Sequence, residues 1–351
     1  MTIVLESCQF FAPRNPREDN NAMNDSLGIG KIRGLQQIAG SGGIFSMAAM
    51  DHRGSLEHGL CPAEGTGCYE EMVEFKMELC AALAPVSSAV LLDPIYGAAQ
   101  AIAHAAITKG TGLLVSIEAT GYEGGKTARV TRVLEGWSVE KIKRLGASAV
   151  KMLVYFRPDS GDLAQTQLST VEKVAAGCVD CDIPFLVEPV TYPLEGETAT
   201  EFASKKASLV IETARMMTAL PIDVLKSEFP ADVNTAQNEK GLLDACRALD
   251  AASTKPWVIL SAGAEYGTFR REVELACRAG ASGFLAGRAI WQEAVGITDK
   301  AQRIKFLDTV AAARLREITA IAERCGRPWY EKMGLQHQNL VSIDQDWHKY
   351  Y

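Results

Sequence analysis

The chain is poor in several things whose absence narrows its function. Aromatic residues make up only 7% of it, histidine occurs five times, and 36 Lys and Arg stand against 43 Asp and Glu for a formal charge of −7. Without a basic excess, a general nucleic-acid binder is excluded. No long apolar run is present either: the longest uncharged stretch, Pro94 to Thr108, contains Gln100 and His104 and is too short to cross a bilayer. The start, MTIVLESCQFFAPR, lacks the cationic segment, apolar stretch and small-residue cleavage site of a secretory signal. Nine scattered cysteines, an odd number, agree with a reducing cytoplasm. Cys178 and Cys181 form a CxxC at the end of a helical pattern, but no second pair completes a four-ligand zinc site, so they read as ordinary thiols. There is no HExxH, and His52 and His58 lack ligand spacing on one helix face, so neither a catalytic metal nor a cofactor is expected.

What the chain does have is length and aliphatic residues. Its 351 residues, 47% hydrophobic and 23% charged, suffice for a large globular core. Eight short apolar runs recur between Ile44 and Trp291: IFSMAAMD, AVLLDP, GLLVSIEA, AVKMLVYF, PFLVEPVTY, VLKSEFP, PWVILSAG and GFLAGRAIW. Amphipathic segments such as CYEEMVEFKMELCAALAP and EFASKKASLVIETARMMTAL lie between them. Strands alternating with helices imply parallel βαβ units, and eight of them predict a closed (β/α)8 TIM barrel. An open doubly wound sheet is the structural alternative, but no GxGxxG follows the first strand. Residues 1–26 read as a polar extension, 27–326 as the barrel with a floor-closing helix over Leu27 to Ala39, and 327–351 as a tail that packs on the surface or on a second subunit. A homo-oligomer is therefore left open.

A buried parallel strand should carry almost no charge, because an unpaired interior ion costs several kcal/mol. Here Asp51 ends the first run, Asp93 the second and Glu118 the third, while Lys151 lies in the fourth, Glu188 in the fifth, and Lys226 with Glu228 in the sixth. Structural ion pairs or rim charges would account for any one of these. Two lysines and several carboxylates on adjacent strands fit a reactive cluster better, since barrels of this kind build their sites at the C-terminal ends of the strands. A lysine confined near a second cation has more neutral amine available for attack on a ketone, and a nearby carboxylate can shuttle protons. Lys226, Lys151 and Glu188 supply those parts. SAG at 261–263 and AGR at 286–288 follow strands seven and eight, where this fold commonly binds phosphate. Arg53 suits the far end of a substrate. Lys151, Lys226, Arg288 and Arg53 together predict a local positive pocket in an acidic chain.

AMDHRGSL, LLDPIYGAAQ, SIEATGYEG, AVKMLVYFRPD, PFLVEPVTYPL, IDVLKSEFP, PWVILSAG and GASGFLAGRAIW resemble, in order, the barrel strands of the class I tagatose 1,6-bisphosphate aldolases, from roughly Leu27 to Trp329. The resemblance implies that Lys226 forms the Schiff base, Glu188 shuttles protons, Lys151 assists Lys226, and Asp51 orients substrate hydroxyls. It further implies Ser261, Gly263, Gly287 and Arg288 as phosphate contacts, and Arg53 and Glu118 are read beside them as substrate-binding residues. His52 departs from the family pattern, which usually has glutamine between the aspartate and the arginine.

The implied reaction is reversible cleavage of a ketohexose 1,6-bisphosphate, tagatose 1,6-bisphosphate first, into dihydroxyacetone phosphate and glyceraldehyde 3-phosphate. The partner is then a phosphorylated sugar, with no nucleic acid or membrane involved. GASGFLAGRA also resembles aldolases that cleave sulfofructose phosphate, the second reading. A sugar-phosphate sensor and a phosphate-binding isomerase without a covalent intermediate are the others.

Overall fold

A computed structural model describes residues 27–61, 68–233, 238–338, 340–349 and 351. The polar extension expected over 1–26 lies outside them. Eight strands, β1 (Phe45–Ala49), β2 (Ala89–Leu92), β3 (Gly112–Ser116), β4 (Ala149–Tyr155), β5 (Phe185–Val190), β6 (Val224–Ser227), β7 (Trp257–Leu260) and β8 (Gly283–Ala286), follow the eight apolar runs. All neighbours pair in parallel, and β1 pairs with β8, so the barrel is closed in sequence order. The TIM barrel expected from the sequence is the fold.

Local chemistry sets the helices between strands. α1 (Ile29–Ile38) precedes β1, and α2 (Gly54–Leu60) and α3 (Tyr69–Leu83) follow it. After β2 comes α4 (Ala98–Ala103), and after β3 comes α5 (Val139–Leu145), capped at its start by Ser138 and ended by Gly146 at φ +92°. α6 (Asp162–Asp180) follows β4, and α7 (Ala199–Thr218) follows β5, opened by a capping box of Thr198 and Glu201. α8 (Glu239–Ala252) follows β6, starting from Asn238, and α9 (Tyr266–Ala279) follows β7. The short α10 (Arg288–Trp291) leaves β8, and α11 (Lys300–Phe306), one π-helical turn and α12 (Ala312–Cys325) complete the outer ring. α13 (Trp329–Lys332) brings the C-terminal segment under the barrel.

Alternation along the strands sorts the core into two layers. Ala48, Val90, Val115, Val150, Val187, Leu225, Ile259 and Phe284 face the helices. Phe45, Met47, Ala49, Ala89, Leu91, Leu114, Ala149, Leu186, Val224, Val258 and Leu285 fill the interior, where Leu35 and Ile38 of α1 and Trp329 of α13 close the floor. Continuing that period of two beyond the interior layer reaches Asp51, Glu118, Lys151, Glu188, Lys226, Glu228 and Gly287. The charged residues therefore project from the inner face at the C-terminal mouth. Between β3 and α5 the chain makes an antiparallel excursion, with bridges Glu118 to Val133 and Glu123 to Val130.

The cysteine expectation needs one correction. Cys178 and Cys181 are free thiols, as read, but Cys61 and Cys68 are joined as a disulfide between the end of α2 and the start of α3. Their spacing of seven residues did not signal the link.

Candidate active site

A cavity of about 600 Å³ opens at the C-terminal mouth, and the ten residues expected to be catalytic or substrate-binding line it: Asp51, Arg53, Glu118, Lys151, Glu188, Lys226, Ser261, Gly263, Gly287 and Arg288. At its centre Lys151 Nζ lies 2.7 Å from Asp51, 2.8 Å from Glu118 and 2.9 Å from Glu188. Glu188 uses its other oxygen for Lys226 Nζ at 2.7 Å, so one carboxylate bridges the two ammoniums. All five side chains are at least nine-tenths buried.

This packing sets the protonation states. Burial alone would strip Lys151 of its proton, yet Asp51, Glu118 and Glu188 reverse that and raise its pKa well above the ordinary value. Burial likewise pushes Asp51 up, but Lys151, His52 and Lys226 pull its carboxyl far below the carboxylate range. For Glu188 burial is again opposed, and outweighed, by Lys151 and Lys226. Lys151 is thus a fixed cation, clamped on three sides, and Lys226 is bound through a single carboxylate.

The SAG and AGR segments are in contact. Gly287 N–H donates to Ser261 Oγ at 3.4 Å, which ties the loop after β7 to the end of β8. Ala262 and Gly263 both have positive φ, +46° and +78°, and the Arg288 guanidinium carbon lies 3.5 Å from where a Gly263 Cβ would stand. The positive φ would strain any side chain there, while the guanidinium lies at ordinary contact distance. Also in the lining, Arg53 Nη2 donates to the Glu118 carbonyl at 2.7 Å.

Two expectations are corrected. Asp93 is not in the cavity: it is fully buried, paired with Lys76, and accepts the Ile95 and Tyr96 N–H groups at 2.8 Å. The pocket is not simply positive, because Asp51, Glu118, Glu188 and Glu228 line it beside the four cations. Inward-facing carboxylates follow the same period of two as the lysines, so a count of cations alone misjudged the field.

Lys76 went unnoticed in the sequence. Its ammonium donates to the Met50 and His52 carbonyls at 2.8 Å each and so holds the turn that carries Asp51. The signal was available: Lys76 interrupts the buried stripe Met72, Phe75, Leu79, Leu83 of α3. Glu228, noted only as a strand charge, accepts the Thr191 N–H at 2.8 Å and its hydroxyl at 2.6 Å while lining the cavity.

The sequence model for the DeoC/LacD family aldolase matches residues 45–293. The chain belongs to that family. It is an aldolase, a carbon–carbon lyase. Among its relatives, the tagatose 1,6-diphosphate aldolase of Lactococcus lactis subsp. lactis is 32% identical over 324 residues, covering 86% of this chain and 98% of the relative. Tagatose 1,6-diphosphate aldolase 2 of Streptococcus mutans is 30% identical, covering 87% and 98%. Of solved structures, an archaeal fructose 1,6-bisphosphate aldolase aligns with a TM-score of 0.55 at 20% identity over 81% of this chain and 98% of that one. Fructose-bisphosphate aldolase from Plasmodium falciparum aligns with a TM-score of 0.61 at 13% identity, over 90% and 97%. At those identities the structures speak for the fold. Among the described residues no helix is long and apolar enough to cross a membrane.

Proposed function

We propose that this aldolase works through a Schiff base on Lys226 and cleaves a ketohexose 1,6-bisphosphate, tagatose 1,6-bisphosphate first, to dihydroxyacetone phosphate and glyceraldehyde 3-phosphate. The observation that carries the reading is the Lys226–Glu188–Lys151 chain of contacts within one cavity that Arg53 and Arg288 also line. The names of the relatives favour the tagatose substrate over sulfofructose phosphate.

Glu188, 2.7 Å from Lys226 Nζ, accepts a proton from the ammonium and frees the amine to attack the C2 ketone. The same carboxyl returns the proton to the carbinolamine oxygen, which leaves as water and forms the iminium. Glu188, again a carboxylate, takes the proton of the C4 hydroxyl. The C3–C4 electron pair then flows to the iminium nitrogen, releasing the aldehyde and leaving an enamine on Lys226. Reprotonation of C3 and hydrolysis release dihydroxyacetone phosphate and restore the lysine. Lys151 remains charged throughout and steadies the carboxylates around it, and Asp51 orients hydroxyls. One phosphate is held at Ser261, Gly263, Gly287 and Arg288, and Arg53 with Glu118 faces the other end.

Incubation with dihydroxyacetone phosphate followed by borohydride reduction and peptide mapping tests this. The expected product carries one three-carbon adduct on Lys226; modification of another lysine, or none, overturns the assignment. Turnover of tagatose 1,6-bisphosphate against sulfofructose phosphate decides the substrate.

A further inference from the structure

His52 is a second group at the anion end of the cavity whose role the reaction above does not use. Its ring meets the edge of Trp291, with centroids 5.2 Å apart at 85°, and Trp291 is itself fixed by an indole N–H bond to the Ala49 carbonyl. On the other side is Gly287, where a Cβ would stand 2.8 Å from His52 Cε1 and 3.4 Å from Nε2. The ring therefore occupies the space that glycine leaves beside the phosphate segment. Nδ1 is buried without a hydrogen-bond partner among the described residues, 3.9 Å from Asp51 Oδ1. A fifth of the side chain stays exposed, and the residue lines the cavity. With Nδ1 turned inward to Asp51, Nε2 is the nitrogen left to a ligand.

We propose that His52 is an additional ligand of the substrate's phosphate dianion, donating from Nε2 beside Gly287 and Arg288, and that anion docking is coupled to proton uptake on this imidazole. The proposal rests on the reading of Ser261 to Gly263 and Gly287 to Arg288 as an anion site. Without a ligand, burial and the cations facing the ring (Arg288 from the β8 end, Lys226 from β6 and Lys76 from α3) keep the imidazole neutral, with Asp51 alone opposing them, and its pKa falls to about 4. A dianion next to Arg288 cancels that cationic field. Asp51 behind the ring and the dianion before it then both favour the imidazolium, whose two N–H groups face an acceptor each. The sign follows: the loaded state has the higher pKa, so binding strengthens as pH falls and the gain is lost as pH rises through the loaded-state value.

Sulfate separates this from the aldolase reading, being a dianion that neither titrates near neutrality nor condenses with lysine. In the full chain, sulfate affinity at pH 6 should exceed that at pH 8 by roughly three- to tenfold, bounded by about tenfold per pH unit for one linked proton. H52Q should bind sulfate with affinity that changes little over that range, whereas R288Q should bind weakly throughout. NMR of the protein labelled with 15N-histidine, which has five histidines to resolve, gives a readout that does not depend on a variant folding. Sulfate at pH 6 should move one ring from the neutral to the imidazolium position. An equal pH slope in H52Q, or no histidine signal moving, overturns the proposal while leaving borohydride trapping on Lys226 untouched. No saturable sulfate binding by the wild type overturns both this proposal and the anion site on which it rests.

Discussion

The two ends of one barrel treat buried charge in opposite ways. At the floor, Lys31 and Asp223 pair at 2.8 Å, Asp223 also accepts the Phe185 N–H, and Asp182 accepts the N–H of Lys31 and the hydroxyl of Tyr351. At the mouth, His52 Nδ1, Arg53 Nη1, Glu118 Oε2 and Arg288 Nε are buried and lack a partner within the described residues. These four are the charged or imidazole side chains with such orphan atoms, and all line the cavity. An orphaned buried polar atom costs roughly 1–3 kcal/mol, so the floor is built for stability and the mouth keeps unspent hydrogen-bonding capacity for a polar anionic ligand.

Substitutions at each end should separate the two roles. The largest effect belongs to K226A, which should lower kcat by roughly 10⁴-fold or more while the far-ultraviolet circular dichroism stays native; comparable turnover would remove Lys226 from the mechanism. At the floor the effect should invert. D223A strands a buried ammonium and a buried N–H, and should cost about 3–5 kcal/mol in denaturant unfolding with KM unchanged in the surviving folded fraction. A loss of affinity without a loss of stability would contradict the division of labour.

The outer wall offers a pH test. Burial pushes the Glu272 carboxyl up to about 7, opposed weakly by Lys206 and helped by Asp232. A carboxyl whose pKa is raised on folding favours the native state below its unfolded value and loses that contribution as pH rises through the folded value. E272Q should therefore gain on the wild type between pH 5 and pH 8, by on the order of 1–3 kcal/mol, as read from unfolding midpoints at both pH values. A pH-independent difference would refute it. The smallest effect is at the contact of glycine and imidazole: G287A forces His52 aside and should raise KM a few-fold with kcat nearly retained. An unchanged KM would show that this contact does not shape the anion end.

How much of this was legible in the sequence follows from what the chain encodes locally. Eight aliphatic runs gave eight strands because a parallel strand buried on both faces must be apolar throughout, and charges such as Lys151 and Glu188 stood out against that background. Asp51, Glu118, Lys151, Glu188, Lys226 and Gly287 converge for the same reason, since a period of two keeps the inward face constant, whereas Ser261, Gly263 and Arg288 reach the cavity from beyond the ends of β7 and β8. Partnership was not legible. Nothing in AVKMLVYF shows that Lys151 is enclosed by three carboxylates from three other elements, or that Asp93 turns away to a helix lysine instead of entering the cavity. Those facts depend on register and side-chain direction, which long-range pairing fixes. The Cys61–Cys68 link, only seven residues apart, lay beyond reach because that spacing alone does not signal a pair.

The pairing of β1 with β8 gives the barrel a temporal order as well as a shape. Asp51 and His52 leave the first strand, whereas Gly287 and Arg288 leave the last, and nearly the whole chain must be laid down before the two meet. Closing that distance is among the most non-local events in the fold and a slow one by loop-closure entropy. Catalysis is thus a clock for completion: during refolding, native-like helix content should return well before turnover does, and a protein stalled without its last strand would be largely structured and inert.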